Sequence, residues 1–176
     1  CGLEIEEREQ ISPREYENIL NWLYKKSKEV NIHVKATCAP HYFRIMRQNS
    51  IDTAGQTNPS ITNTEAGRIN PTPTIAGKSH GMSELTRGCL AGTGVCFLSH
   101  KGEIFPCGYL PILAGNIRLT PIRKIWEDSE VFHNLRNPDM LKGKCGLCEY
   151  RFLCEGCRAR AYAQTGDYME EEPFCI

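Results

Sequence analysis

The spacing of its cysteines constrains this chain more than any other feature. Ten cysteines occur in 176 residues, and eight follow residue 88, as Cys89-x6-Cys96-x10-Cys107 and then Cys145-x2-Cys148-x5-Cys154-x2-Cys157-x17-Cys175. Free cysteine used as core filler rarely reaches that density, which leaves disulfides, zinc or iron–sulfur clusters. Disulfide frameworks suit small secreted domains, whereas this chain has a helix-rich, charge-balanced start and crowds its Cys-x-x-Cys pairs at the other end. A Cys-x-x-Cys turn faces two thiolates toward one centre while backbone amides point at the sulfurs. Gly146 and Gly156 sit in these turns and let the amides approach. Two such pairs also mark zinc ribbons, but zinc pairs stand about 12 to 20 residues apart, and Cys148 and Cys154 are separated by five. That short gap suits three thiolates wrapping a larger cluster. Spacing alone favours iron–sulfur chemistry and leaves zinc and disulfides open.

Charge narrows the partners. Lys plus Arg and Asp plus Glu both total 21, so no global field attracts nucleic acid or an acidic membrane. No stretch approaches the roughly 18 apolar residues of a membrane span, and no signal-peptide pattern opens the chain. The expected location is cytoplasmic. The chain begins at Cys1 without an initiator Met, which reads as the C-terminal part of something longer.

Ser12-Pro13-Arg14-Glu15 is a capping box with Pro at the first helical position and predicts a helix start. Tyr16, Ile19, Leu20, Leu23 and Tyr24 then form an apolar stripe at helical spacing, ending near Glu29. Asn31 to Thr37 alternates like a short strand, broken by Cys38-Ala39-Pro40-His41, and a further helix starts near Tyr42. Residues 1–47 thus read as the last αβ elements of a larger α/β domain. Residues 48–80 read as a polar linker, with no aromatic side chain and, to Ser79, only Asp52, Glu65, Arg68 and Lys78 charged. Residues 81–176 form the cysteine-rich unit. There, 94–99 and 103–106 predict a hairpin around His100-Lys101-Gly102, Gly115 to Arg118 a further turn, and Pro121 to Trp126 and Val131 to Arg136 helix. A last helix runs through Ala163 to a Gly166 stop. The fold class expected is α+β.

The cysteine pattern, with Gly102 between Cys89 and Cys107, resembles the SPASM domain of radical S-adenosylmethionine enzymes over Cys89 through Cys175. The resemblance implies the C-terminal end of a partial (β/α) barrel followed by short helices and a hairpin around one or two auxiliary [4Fe-4S] clusters. It assigns Cys89, Cys96, Cys107 and Cys157 to one cluster and Cys145, Cys148, Cys154 and Cys175 to the other. The family's usual spacing before the interleaved cysteine is longer than Cys154-Glu155-Gly156-Cys157, which makes the second set the firmer. The words Arg87-Gly88-Cys89-Leu90-Ala91-Gly92, Pro106-Cys107-Gly108-Tyr109-Leu110, Cys157-Arg158-Ala159-Arg160-Ala161-Tyr162 and Lys35-Ala36-Thr37-Cys38-Ala39-Pro40-His41-Tyr42 are similar to the heme b synthase branch of the siroheme-dependent pathway. That likeness implies oxidative decarboxylation of two propionates of iron-coproporphyrin III to vinyl groups. It also implies an electron carrier as partner, and S-adenosylmethionine with a third [4Fe-4S] cluster in a preceding part. The radical-generating Cys-x3-Cys-x2-Cys motif is absent from these 176 residues, so this stretch alone is expected to be inactive. The same cysteine pattern also fits a peptide-modifying SPASM maturase, and a structural zinc module is the non-enzymatic alternative.

Outside the eight, Cys38 reads as a pocket residue or a small buried filler. His41, at the same strand end, is a candidate substrate contact or a hydrogen-bonded structural histidine. Arg158 and Arg160 directly follow Cys157, so one can neutralise cluster charge and the other pair with a substrate propionate. Arg44, Arg47 and Lys35 are weaker propionate candidates. Trp22, Trp126 and Phe132 read as core, His33 as structural, and the acidic run Glu170-Glu171-Glu172 as a solvated loop.

Overall fold

The computed structural model describes residues 10–32, 34, 36–54 and 88–176, with only the backbone for 50–54. Helix α1 spans Pro13–Glu29 and opens on the expected capping box. Ser12 Oγ accepts the Glu15 amide at 3.2 Å, and the Ser12 amide donates to Glu15 Oε2 at 2.8 Å. Helix α2, His41–Ala54, packs beside it. Leu20 from α1 meets Ala39, Tyr42 and Ile45, with Tyr16, Leu23 and Tyr24 against them. The stripe is narrower than its sequence suggests: Ile19 is 49 % exposed and Trp22, expected in the core, 58 %. Helix α2 also runs past the expected linker start at Gln48, through Ala54; residues 55–80 lie outside the described residues.

The strand expected over 31–37 does not form among the described residues. Asn31 and Ile32 bend, Thr37 and Cys38 turn, and among the described residues no neighbouring strand supplies the ladder an extended segment needs; His33 and Lys35 lie outside the described residues. Cys38 itself is exposed, with φ 56°, and so is not a buried filler.

The second half is built on a small antiparallel sheet in the order β1 (Phe97–Leu98), β2 (Glu103–Phe105) and β3 (Gly115–Asn116). Phe97 pairs with Phe105 and Glu103 with Asn116. The hairpin falls where the turn chemistry puts it, since Gly102 takes φ 85° and donates to the Ser99 carbonyl at 2.9 Å. Gly115 and Asn116, expected in a turn, instead supply the third strand. Gly115 is glycine for a packing reason: a Cβ there would stand 2.9 Å from the Ile125 side chain. Helices α3 (Ile122–Asp128) and α4 (Glu130–Leu135) are separate because Ser129 leaves the helical region, at ψ 124°.

Ile104, Leu110, Ile125, Phe132, Leu135 and Ala159 form the core, and Cys157 belongs to it with Cys96 and Cys107 packed alongside. Arg136 ties the first cysteine loop to this core. Its guanidinium lies 4.5 Å from the Trp126 ring centre, and its Nε donates to the Gly92 carbonyl at 2.8 Å. The short helix α5 (Gly143–Leu147) carries Cys145 and is capped by Cys148, Cys157 caps the start of α6 (Arg158–Thr165), and Gly166, left-handed at φ 79°, ends α6. The architecture is mixed α and β. Among the described residues, no helix is long and apolar enough to cross a membrane.

Candidate metal centre

Helix α5 buries Cys145, and the chain then turns so that the Tyr150 amide donates to Cys148 Sγ at 3.4 Å. The turn admits only glycine at 146, where a Cβ would lie 2.2 Å from the Leu141 carbonyl oxygen. After Cys154 the backbone takes two left-handed residues, Glu155 at φ 60° and Gly156 at φ 63°, and this reversal aims the Gly156 amide back at the Cys154 sulfur. Cys145 Sγ accepts the Glu172 amide at 3.4 Å and faces Arg158 Nη2 at 3.6 Å. The tail after α6 brings in Cys175. Cys145, Cys148, Cys154 and Cys175 together line one cavity of about 280 Å³.

This is the set of four expected from the sequence, gathered around a space and not converging on a point. Among the described residues, no three Cys, His, Asp or Glu side chains close on a single-ion site. The surroundings suit a bulky anion. Arg44 Nε, Arg158 Nε and His41 Nδ1 are buried without a hydrogen-bond partner, and Arg44 and His41 line the same cavity. Buried orphan polar atoms are costly, and an anionic acceptor would satisfy donors among them. Burial pushes the Cys154 thiol up to about 12, against the Gly156 amide and the Arg44 charge, and raises Cys175 as well. Metal-free, these thiols stay protonated at neutral pH; iron would displace the protons. The residues present therefore fit a four-iron cluster held by thiolates.

Of the other four cysteines, Cys157 belongs to the neighbouring core and Cys96 and Cys107 pack against it. Burial also raises the Cys89 and Cys157 thiols, and a charge on Cys89 would push Cys157 further. The Cys89 sulfur accepts the Ala91 and Arg158 amides, and Cys107 Sγ accepts the Tyr109 amide at 3.4 Å. Of this set, only Cys107 lines the second cavity, about 320 Å³ between the hairpin and α6. The two cysteine regions share a wall: the Cys89 amide donates to the Cys154 carbonyl at 3.1 Å. At Gly88 a Cβ would come within 2.2 Å of that same oxygen.

A buried carboxylate that sequence reasoning missed holds this centre to the N-terminal helices. Glu172, read as part of a solvated run, is fully buried. Its Oε2 lies 2.7 Å from His41 Nε2, and Arg160 donates to both oxygens at 2.9 and 2.8 Å. Burial alone would raise the Glu172 carboxyl, but His41 and Arg160 outweigh it and hold the group at about 2. Arg160 also lies 5.1 Å from the Tyr16 ring centre and donates to the Cys38 carbonyl. The sequence carries no periodic sign of this link, because its members are brought together only by tertiary packing.

Four candidate substrate contacts are reassigned accordingly. Arg160 is not a free fork for a propionate, since Glu172 occupies it. His41 has Nε2 committed to Glu172 and is fully buried, which is the structural reading and not an open substrate contact. Arg158 is 2 % exposed and donates to the Tyr168 and Glu170 carbonyls; its place beside Cys145 suits charge neutralisation and not substrate binding. Arg44 is paired with Glu17, so it too offers no free propionate site.

Residues 89–158 match SPASM, described as an iron–sulfur cluster-binding domain; the chain carries this class of module. The likeness extends beyond it. The chain is 54 % identical over 171 residues to the AdoMet-dependent heme synthase of Methanosarcina barkeri, covering 97 % of this chain and 44 % of that one. It is 47 % identical over 165 residues to the protein of the same name from Nitratidesulfovibrio vulgaris, covering 94 % and 40 %. The PqqA peptide cyclase of Bradyrhizobium diazoefficiens is 34 % identical over 95 residues, 49 % of this chain and 25 % of that one. The chain spans about two-fifths of the length of the heme synthases it matches. Over the residues compared, the chain is similar to AdoMet-dependent heme synthases, and it carries a SPASM module.

Proposed function

We propose that this chain is the auxiliary-cluster region of a radical S-adenosylmethionine enzyme of heme biosynthesis. The observation that carries the reading is the cavity lined by Cys145, Cys148, Cys154 and Cys175, within a chain resembling heme synthases over nearly its whole length. Cys89, Cys96, Cys107 and Cys157 would hold a second cluster in the adjoining core. In this reading α1 and α2, through residue 54, belong with a preceding partial (β/α) barrel, a linker follows α2, and 81–176 form the cluster domain. S-adenosylmethionine and its own cluster belong to a preceding part. The match to a peptide cyclase covers only about half of the chain, so the tetrapyrrole reading accounts for more of the sequence.

The substrate proposed is iron-coproporphyrin III. Converting one propionate to a vinyl group releases CO2, one hydrogen atom and one further electron. A 5′-deoxyadenosyl radical takes the hydrogen atom, so the reaction demands a separate one-electron acceptor. Bound at these cysteines, a four-iron cluster would supply that acceptor, with an electron carrier as the onward partner. The chain's own residues exclude water, aim amides at the sulfurs and set Arg44 and Arg158 beside the anionic centre, which favours holding an added electron.

Anaerobically reconstituted full-length protein tests this. Replacing Cys148 by Ala should remove about four iron and four sulfide per chain and stop vinyl formation, while cleavage of S-adenosylmethionine continues. Stoichiometric zinc without sulfide at these cysteines, or undiminished vinyl product in the variant, would sink the reading.

A further inference from the structure

Helix α2 lies outside the matched SPASM residues, yet it forms one wall of the cavity between the cysteines. His41 and Arg44, one turn apart on α2, both line it. Arg44 is buried, at 8 % exposure. Its Nη2 donates to Glu17 Oε2 at 2.5 Å and its Nη1 to Gln48 Oε1 at 3.1 Å, while Nε has no partner. It lines that cavity together with Cys154 and Cys175. Its position is fixed from two sides: Glu17 reaches it from α1, and His41 anchors the start of α2 to Glu172 in the C-terminal tail.

We infer that Arg44 is a positioning and potential-setting residue for the cluster at Cys145, Cys148, Cys154 and Cys175, with Glu17 as the counter-charge that moderates it. The inference rests on the cluster assignment above. A fixed cation beside a cluster stabilises the reduced, more negative state, and a carboxylate behind that cation takes part of the effect away. The helix pair α1–α2 therefore does more than pack against the cysteine module. It contributes one positive and one negative group of opposite influence on the electron acceptor, so the seating of these helices sets how readily the acceptor is reduced. Taking about a tenfold shift of the reduction equilibrium as the scale of one such charge, the change for a one-electron couple is 59 mV.

The test is an EPR-monitored redox titration of the full-length, anaerobically reconstituted protein, with the auxiliary signal assigned by its loss in Cys148→Ala. Arg44→Gln should lower the midpoint potential by about the tenfold equivalent, 59 mV for one electron. Glu17→Gln should raise it, and Arg44→Lys should stay near wild type. Opposite signs are the decisive readout, because loosening α1–α2 packing would move both variants the same way. Equal potentials in all variants, or shifts of one sign for Arg44→Gln and Glu17→Gln, overturn the inference. Should Arg44→Gln lose its cluster, the Glu17→Gln rise decides, and its absence overturns the inference. Wild-type protein lacking iron and sulfide at these cysteines defeats the cluster assignment itself, a result read from the metal analysis and distinct from a null shift in potential.

Discussion

Replacing Glu172 by Gln tests whether one buried carboxylate joins the two halves of the chain. The substitution keeps the shape and removes the charge, leaving the Arg160 guanidinium buried against a neutral amide. Holding the carboxyl at about 2 against an ordinary 4.5 corresponds to about 3 kcal/mol in favour of the charged form at neutral pH. Breaking a buried ion pair from one side costs about 3–5 kcal/mol by an independent route, so the two figures agree. For a chain of this size, about 3 kcal/mol lowers the thermal midpoint by about 6–12 °C. Anaerobic calorimetry on wild type and Glu172→Gln, with iron counted before each scan, separates lost packing from lost cluster. A fall of less than 2 °C with iron retained would show that the His41–Glu172–Arg160 link does not carry the load assigned to it, and the account of how α2 is seated would go with it.

Other outcomes follow from the same geometry. Gly88→Ala should prevent stable assembly of both cysteine loops, because its Cβ would lie within 2.6 Å of three backbone atoms of Leu153 and Cys154; soluble protein with full iron would refute this. Phe132→Ala, at a fully buried core position, should cost about 3–5 kcal/mol in denaturant unfolding. Arg123→Ala, which removes an exposed pair with Glu127, should leave the thermal midpoint unchanged. Because the Glu172 carboxyl is depressed in the folded chain, its contribution is complete above about pH 4.5 and lost as pH falls through about 2. A pH series of melting curves should show that loss in wild type and not in Glu172→Gln.

Local chemistry was legible where short-range rules decide. Ser12 and Glu15 fixed the start of α1, Gly166 the end of α6, and Gly102 the hairpin turn. Spacing pointed to a metal or cluster at the Cys-x-x-Cys turns, and the grouping of Cys145, Cys148, Cys154 and Cys175 came from the family resemblance, because nothing in the spacing ties Cys175, separated from Cys157 by 17 residues, to the other three. What spacing could not reveal was everything that depends on distant partners. Asn31 to Thr37 alternates like a strand, but alternation forms a strand only where another strand pairs with it. Trp22 sits near the apolar stripe of α1, yet α2 covers a narrower face. Glu172 looked like one more solvated acid in a run of three, and no feature of the run distinguishes it from Glu170 or Glu171. Arg160 looked free because its partner follows it across a whole helix and turn.

The bond from the Cys89 amide to the Cys154 carbonyl bears on how the module would age in air. Loss of iron from the Cys154 loop would relax the carbonyl that orients Cys89, and Gly88 leaves no slack to absorb the movement. If both proposed clusters form, oxidative damage begun at one would therefore reach the other through the backbone, and loss of iron under oxygen would follow one rate and not two.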